Sequence, residues 1–354
     1  MRERLLEDLL WFLERPSVTG EEKPLCDDLE ARVWRLAGWE TRRVADNLVV
    51  SRAEPDGSRD RLVFAGHLDT VPEPGGGLQV RVEDERVYGR GASDMKAGDA
   101  VMLVLVEDFS WEDSWAEPLF VFYEREEGPY AENGVEAVFA EVPEVLDADL
   151  ALCLEPTAGA LEVGCVGTAQ VEVTFKGKSA HSARPWQGEN AITAAGAFLE
   201  ELHDREVEEV VVEGLTFYEV LVPTLARGGR AKNVVPDEFW INVNHRFPPG
   251  KGIEDVRSVF EGLVRGDARY DIVDYAPSGP VELDNPLLQR LIEAGLEVRP
   301  KQAWTDVARF AQRGVAAANF GPGLPAQAHQ EAEYAELPLL EGCYERLASF
   351  LLHN

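Results

Sequence analysis

Apolar residues recur every three or four positions at the start of the chain. MRERLLEDLLWFLERP sets Leu5, Leu9, Phe12 and Leu13 against charged neighbours, which predicts an amphipathic helix over 2–14, and the same spacing predicts a second over 22–37. Pro16 and the turn Ser17-Val18-Thr19-Gly20 separate them, and the turn can also cap the second helix. The pattern then shortens into apolar runs. Residues 47–51 and 61–66 read as strands around the polar turn Glu54-Pro55-Asp56-Gly57. After a proline and glycine loop over 72–77 come short strands at 79–83 and 86–88, a helix over 96–108, and apolar strands at 118–124 and 149–155. Strands interleaved with helices predict an open α/β sheet of mostly parallel strands.

From Gly167 the texture changes. Residues 169–175 alternate as a half-exposed strand, 191–203 read as a helix, 239–247 as a strand and 253–265 as a helix. In outline this is β-α-β-β-α-β, the order of a small ferredoxin-like α+β domain. After Pro280 the earlier pattern resumes, with helices at 285–294 and 306–313, a strand at 316–320 and a terminal helix over 337–352. The expected division is 1–166 and 280–354 as one domain, with 167–279 inserted into it. A length of 354 residues, too great for one core of usual size, agrees with two domains. No internal repeat or low-complexity linker interrupts the chain.

Composition narrows the partners. The formal net charge is −31, from 65 acidic and 34 basic residues, and this opposes binding to nucleic acid or to an anionic membrane. Neither is expected. Most of the basic residues are arginine, a bias that either genome composition or a saline habitat would produce. Cys26, Cys153, Cys165 and Cys343 are scattered without a C-x-x-C pair, which predicts buried thiols in a reducing compartment. The N-terminal stretch lacks the unbroken apolar core of a signal peptide, and no run reaches the length of a membrane span. The expectation is a soluble cytoplasmic protein.

Candidate chemistry sits where apolar runs stop. In RLVFAGHLD, residues 61–69, a strand meets Gly66, expected to turn the backbone so that His67 and Asp69 leave on one side. An imidazole backed by a carboxylate suits a divalent metal, although a hydrogen-bonded loop histidine would look the same. Asp94, in GRGASDMKAG, stands where a glycine-rich turn enters a helix and can cap that helix or coordinate a metal. The 118–124 run ends in Glu124-Arg125-Glu126-Glu127-Gly128, the 149–155 run ends in Glu155, and GPGLPAQAHQE carries His329. Four strands are thus expected to end in His, Asp or Glu, where the ligand site of an open α/β sheet lies. His67, Asp94, Glu127, Glu155 and His329 together suit two zinc-like ions, with an Asp between them and one His and one Glu on each.

GHLDTVP, GRGASDMKAG, EREEG, the strand-end CLEP and a late AHQ, in that order over residues 60–331, resemble a family of two-domain metallohydrolases. It includes succinyl-diaminopimelate desuccinylase, acetylornithine deacetylase and carboxypeptidase G. The resemblance implies a zinc-exopeptidase-like catalytic domain, a ferredoxin-like dimerisation domain, and two Zn2+ per subunit, for which Co2+ can substitute. His67 and Glu155 would hold one ion, Glu127 and His329 the other, and Asp94 would bridge them. Asp69 would orient His67, and Glu126 would be the general base. The chain departs from the family in Glu124-Arg125 ahead of the acidic pair, so the division of base and ligand between Glu126 and Glu127 rests on register with Gly128.

His181, in AHSARPWQGENAI, matches a histidine that stabilises the oxyanion in the partner's active site of a homodimer built through the inserted domain. Arg184, Asn233 in AKNVVP and Arg246 in NHRF match positions that grip a substrate carboxylate, and Arg309 in WTDVARF is placed around the same cleft. His203, His245 and His353 read as structural. AHSARPWQGENAI and WTDVARFAQRGVAAANFGPG are most similar to the actinobacterial desuccinylases of this family. That implies hydrolysis of N-succinyl-LL-2,6-diaminopimelate to succinate and LL-2,6-diaminopimelate. An acetylornithine deacetylase or small metallopeptidase is the alternative on the same scaffold. An inactive metabolite-binding dimer is the alternative of another class, and it would lack a ligand or the base.

Overall fold

The computed structural model describes residues 1–72 and 79–352. The proline and glycine run beyond Pro72, and His353, lie outside the described residues. The chain forms two compact units, one of Met1–Gly164, Glu282–Arg299 and Thr305–Asn354, the other of Cys165–Val281 and Pro300–Trp304.

The first unit is built on an eight-stranded sheet. Its four central strands, in spatial order Ala116–Tyr123, Asp60–His67, Leu150–Cys153 and Ala317–Asn319, are mutually parallel. Every residue of Ala116–Tyr123 is buried, as in a parallel strand covered on both faces, which explains why its sequence does not alternate. Antiparallel strands flank this centre: Asn47–Arg52 and then Trp39–Val44 on one side, Leu161–Val163 on the other, with Val298–Pro300 at the edge. Trp39–Val44 goes unread in the sequence because it is a half-exposed edge strand rich in charge, WETRRV. The helices Arg2–Leu13, Ala97–Asp108 and Leu337–Leu352 pack together in this unit, and residues 97–106 of the middle one are all buried.

Parallel strands bring their carboxyl ends to one edge. His67 stands opposite Tyr123 in the register, and Ala65 opposite Cys153, so the residues that follow these strands emerge together. One expectation changes here. Gly66 does not turn the chain, since the strand runs through it to His67; a Cβ at Gly66 would come 2.3 Å from a carboxylate oxygen of Asp99, so the glycine serves close approach of the helix. Asp94 comes from the glycine-rich turn after Arg86–Tyr88, the middle strand of a separate three-stranded sheet with Arg81–Glu83 and Tyr334–Glu336.

The second unit is a five-stranded antiparallel sheet in spatial order Glu208–Val212, Leu215–Gly228, Glu238–Phe247, Gly167–Lys176 and Arg269–Ala276. The last four form the β-α-β-β-α-β arrangement, and Glu208–Val212 is an extra strand at the edge. Gly167–Lys176 alternates strictly, burying Ala169, Val171, Val173 and Phe175 against Phe198, Leu202, Val256 and Phe260 of the helices. The helix expected over 191–203 is two, Ala191–Ala194 and Gly196–Asp204. Asn190 caps the first, its side-chain oxygen accepting from the N–H groups of Ile192 and Thr193.

Candidate metal centre

His67 is 1% exposed at the end of its strand. Its Nδ1 lies 3.0 Å from the backbone carbonyl of Asp69 and 3.5 Å from that residue's carboxylate. Its Nε2 faces Asp94 Oδ1 at 3.3 Å and Glu155 Oε1 at 3.9 Å. On the other side of Asp94, Oδ2 lies 3.6 Å from Nε2 of His329, which also meets Glu127 Oε1 at 2.8 Å. One ligand atom each from His67, Asp94 and Glu155 lie within 4.8 Å of one another, and the same holds for Asp94, Glu127 and His329. Asp94 belongs to both groups. A third group joins His67, Glu126 and Glu127. Glu127 is therefore the member of the acidic pair that meets Asp94 and His329, while Glu126 faces His67.

Electrostatics favour a cation in this cluster. Burial pushes the Glu126 carboxyl well above the usual carboxylate range, and the negative charges of Glu155 and Glu127 add to it while His67 opposes. Glu127 is raised for the same leading reason, against its hydrogen bond with His329. Burial works against a charge on His67, yet hydrogen bonding to Asp69 and Asp94 and the field of Glu126 and Glu155 raise its pKa well above normal. Carboxylates crowded out of water need a compensating positive charge, and two imidazoles with several carboxylate oxygens are a donor set that zinc takes. The residues present fit such a group.

The loops that carry these ligands are held by three buried carboxylates, Asp69, which the sequence singles out, and Glu22 and Glu333, which it does not. Asp69 reaches beyond His67. Its two oxygens accept the backbone N–H groups of Glu126 and Glu127 at 3.0 and 3.1 Å, and the hydroxyl of Thr19 at 2.9 Å. Buried Glu22 accepts the N–H of Arg125 at 3.2 Å. Arg125 has a φ of 60°, and it stands at the head of these three successive inward-facing N–H groups. Glu333 holds the loop of Asp94 in the same way. Contacts of this kind join residues far apart in sequence and leave no local pattern to read.

In the second unit the structure brings His181, Arg184 and Asn233 together in paired exposed loops. The N–H of Arg184 donates to the carbonyl of His181 at 2.8 Å, and that of Ser182 to the carbonyl of Asn233 at 3.0 Å. Nδ1 of His181 accepts the N–H of Ala183 at 3.0 Å, which places the proton of a neutral ring on Nε2. Arg246 lies half-buried on the strand Glu238–Phe247, its Nε donating to Asn244 at 2.9 Å. His245 beside it is fully buried against Glu219 at 2.8 Å, as a structural histidine should be, and His203 is exposed in the last turn of its helix.

Arg309 lies in the helix Val307–Gln312, within the helix expected over 306–313, but it is 2% exposed rather than open to a cleft. Its guanidinium is spent on Asp306 at 2.8 Å, Glu136 at 3.1 Å and the carbonyl of Tyr130, and it lies over the Tyr130 ring at 3.7 Å. Three of the five donors of this guanidinium are thus directed at protein partners.

An α/β unit that gathers histidines and carboxylates at and beside the carboxyl ends of parallel strands marks the class, a candidate metal-dependent enzyme. The sequence pattern of Peptidase family M20/M25/M40 matches residues 63–353, and the chain belongs to that family of metal-dependent enzymes that hydrolyse amide bonds. It is 38% identical over 331 residues to the succinyl-diaminopimelate desuccinylase of Corynebacterium glutamicum, covering 91% of this chain and 89% of that one. Among solved structures it is similar to the aminopeptidase PepT of Bacillus cereus, with a TM-score of 0.78, 20% identity, and 99% and 98% of the two chains covered. It is also similar to YXEP of Bacillus subtilis, described as a dinuclear metal-binding peptidase of the M20 family, with a TM-score of 0.69, 16% identity, and 99% and 97% covered. Among the described residues no helix is long and apolar enough to cross a membrane.

Proposed function

We propose that the chain hydrolyses N-succinyl-LL-2,6-diaminopimelate to succinate and LL-2,6-diaminopimelate, as a cytoplasmic homodimer with two zinc ions per subunit. The observation that carries the mechanism is Asp94 standing between two ligand groups, each completed by one histidine and one glutamate. The substrate rests on the identity with the Corynebacterium desuccinylase. Four buried cysteines, all unbridged, agree with a reducing compartment.

In this reading His67 and Glu155 would hold one ion, Glu127 and His329 the other, and Asp94 would contribute to both. Bound there, the ions would supply Lewis acidity toward the amide carbonyl and the attacking water. The protein does the rest. Asp69 fixes the His67 ring through Nδ1, so that Nε2 faces the site, and holds the peptide of Glu126 and Glu127 in place. Glu126, which faces His67 beside the ligand groups, takes the proton of the attacking water as oxygen bonds to the acyl carbon. As the carbon–nitrogen bond breaks, it returns that proton to the leaving amine, so atoms and charge balance. His181 of one subunit, with its proton on Nε2, donates to the carbonyl oxygen as charge develops in the other subunit's site. Arg184, Asn233 and Arg246 receive substrate carboxylates.

Metal analysis tests the centre. Purified protein should hold about two zinc ions per chain, and His67→Ala at most one. Full occupancy in His67→Ala would remove His67 from the ligand set.

A further inference from the structure

Glu333 is 1% exposed and four residues beyond His329, and both oxygens of its carboxylate are fully engaged. Oε1 accepts the backbone N–H groups of Ser93 at 2.9 Å and Asp94 at 3.1 Å. Oε2 accepts the N–H of Gly91 at 3.0 Å and Nη1 of Arg90 at 2.9 Å. A carboxylate offers about four lone-pair sites, so this one is saturated, and all its partners lie in the 90–94 loop. The same segment grips that loop again, because the Ser93 hydroxyl donates to the carbonyl of Tyr334 at 2.8 Å. The N–H of Gly89 donates to the backbone carbonyl of Glu333 at 3.2 Å. Burying a carboxylate is costly, and a purely structural clasp between two loops could be made by neutral groups. What the charge accomplishes is to fix one loop from several directions, and that loop ends in Asp94.

We propose that Glu333 is a positioning residue for the metal centre: its buried carboxylate sets the peptide of Asp94, so that one segment delivers His329 as a ligand and aligns the aspartate shared with the other ligand group. The proposal rests on the reading of Asp94 as the bridge between two ions. An Asp94 held by its own N–H can offer one oxygen to each group without searching among loop conformations, and a ligand so preorganised binds metal more tightly.

The test uses the full-length protein stripped of metal and titrated with zinc, alongside visible absorption spectra of the cobalt-loaded form. In Glu333→Gln the amide keeps one acceptor oxygen and turns an NH2 toward backbone N–H groups. Zinc should bind about tenfold to a hundredfold more weakly and the cobalt bands should shift in position or intensity. kcat should fall with little change in KM. Glu333→Asp keeps the charge but reaches fewer donors, and should show a smaller shift of the same kind. Glu117→Gln is the control, a buried carboxylate at the opposite end of a strand that accepts the N–H of Asp56 at 3.2 Å; its cobalt spectrum should match wild type. Wild-type zinc affinity and an unchanged cobalt spectrum in Glu333→Gln would overturn the proposal. If that variant does not fold, an unchanged spectrum in Glu333→Asp overturns it equally. Wild type holding fewer than two ions would instead sink the dinuclear reading, and with it the bridge that Glu333 is said to align.

Discussion

Arg309 and Glu333 are both charges carried out of water, and each is defined by what surrounds its charged end. The Arg309 guanidinium lies among Asp306, Glu136 and Tyr130, so Arg309→Met would leave the fully buried carboxylate of Asp306 with the amide of Asn133 but without its cation. Breaking a buried pair from one side costs about 3–5 kcal/mol. The expected result is a large drop in the urea midpoint with little change in KM in the protein that remains folded. A raised KM with unchanged stability would restore Arg309 to the substrate site. The residue type was legible in WTDVARF, but its surroundings were not, because Glu136 and Tyr130 lie over 170 residues away in sequence. His67, Asp94, Glu127, Glu155 and His329 were easier to find. Each lies at or near the end of an apolar or glycine-rich run, and although His67 alone could be a loop histidine and Asp94 alone a helix cap, the five taken together point to one site.

At the scale of elements, the strands whose apolar runs are short and buried announced themselves, and with them the edge at which the ligands collect. What failed were strands whose outward faces are charged, and three-residue strands such as the buried Leu161–Val163, too short to show a pattern. Trp39–Val44 and Glu208–Val212 lie at or near sheet edges, half of their residues face water, and their glutamates and arginines mask the alternation. Leu215–Gly228 holds a feature with a measurable pH signature. Its Glu219, 2% exposed, meets His245 at 2.8 Å on the adjacent strand and also Lys251. Burial works to raise the Glu219 carboxyl, but hydrogen bonds from His245 and Lys251 outweigh it and hold the pKa below its ordinary value of 4.5. A depressed folded-state pKa stabilises in full above the unfolded value, and the contribution disappears as pH falls through the folded one. Glu219→Gln should therefore melt below wild type at neutral pH, with the gap closing as the pH drops below about 4.5. Thermal unfolding across a pH series checks this. A gap that persists undiminished at pH 3, or one that widens toward acid, would show that the charge is not its source.

For the whole molecule, the proposal needs two chains per active site, because His181 belongs to the inserted unit and is assigned to the partner's reaction. Glu126→Gln and His181→Ala should each be nearly inactive alone. Mixed and allowed to exchange subunits, they should regain activity through the one site in each heterodimer that keeps both native residues. Confirmed exchange without recovered activity would mean that His181 does not act across the dimer. Neither the acidity of the chain nor its fold selects a substrate, since one scaffold serves many N-acyl amino acids and peptides. In the proposed reading the choice falls to the cations assigned to the substrate's charged ends, Arg184 and Arg246, with Arg309 engaged elsewhere. A succinyl group brings a terminal carboxylate, whereas an acetyl or butyryl group brings none. A charge-assisted hydrogen bond to a desolvated arginine is worth on the order of 1.5–3 kcal/mol. The measurement that bears most directly on the account is kcat/KM of the wild-type enzyme for N-succinyl-, N-acetyl- and N-butyryl-diaminopimelate under one zinc concentration. The succinyl substrate should be favoured by about a hundredfold or more. Equal turnover of the three would contradict the assignment of a desuccinylase.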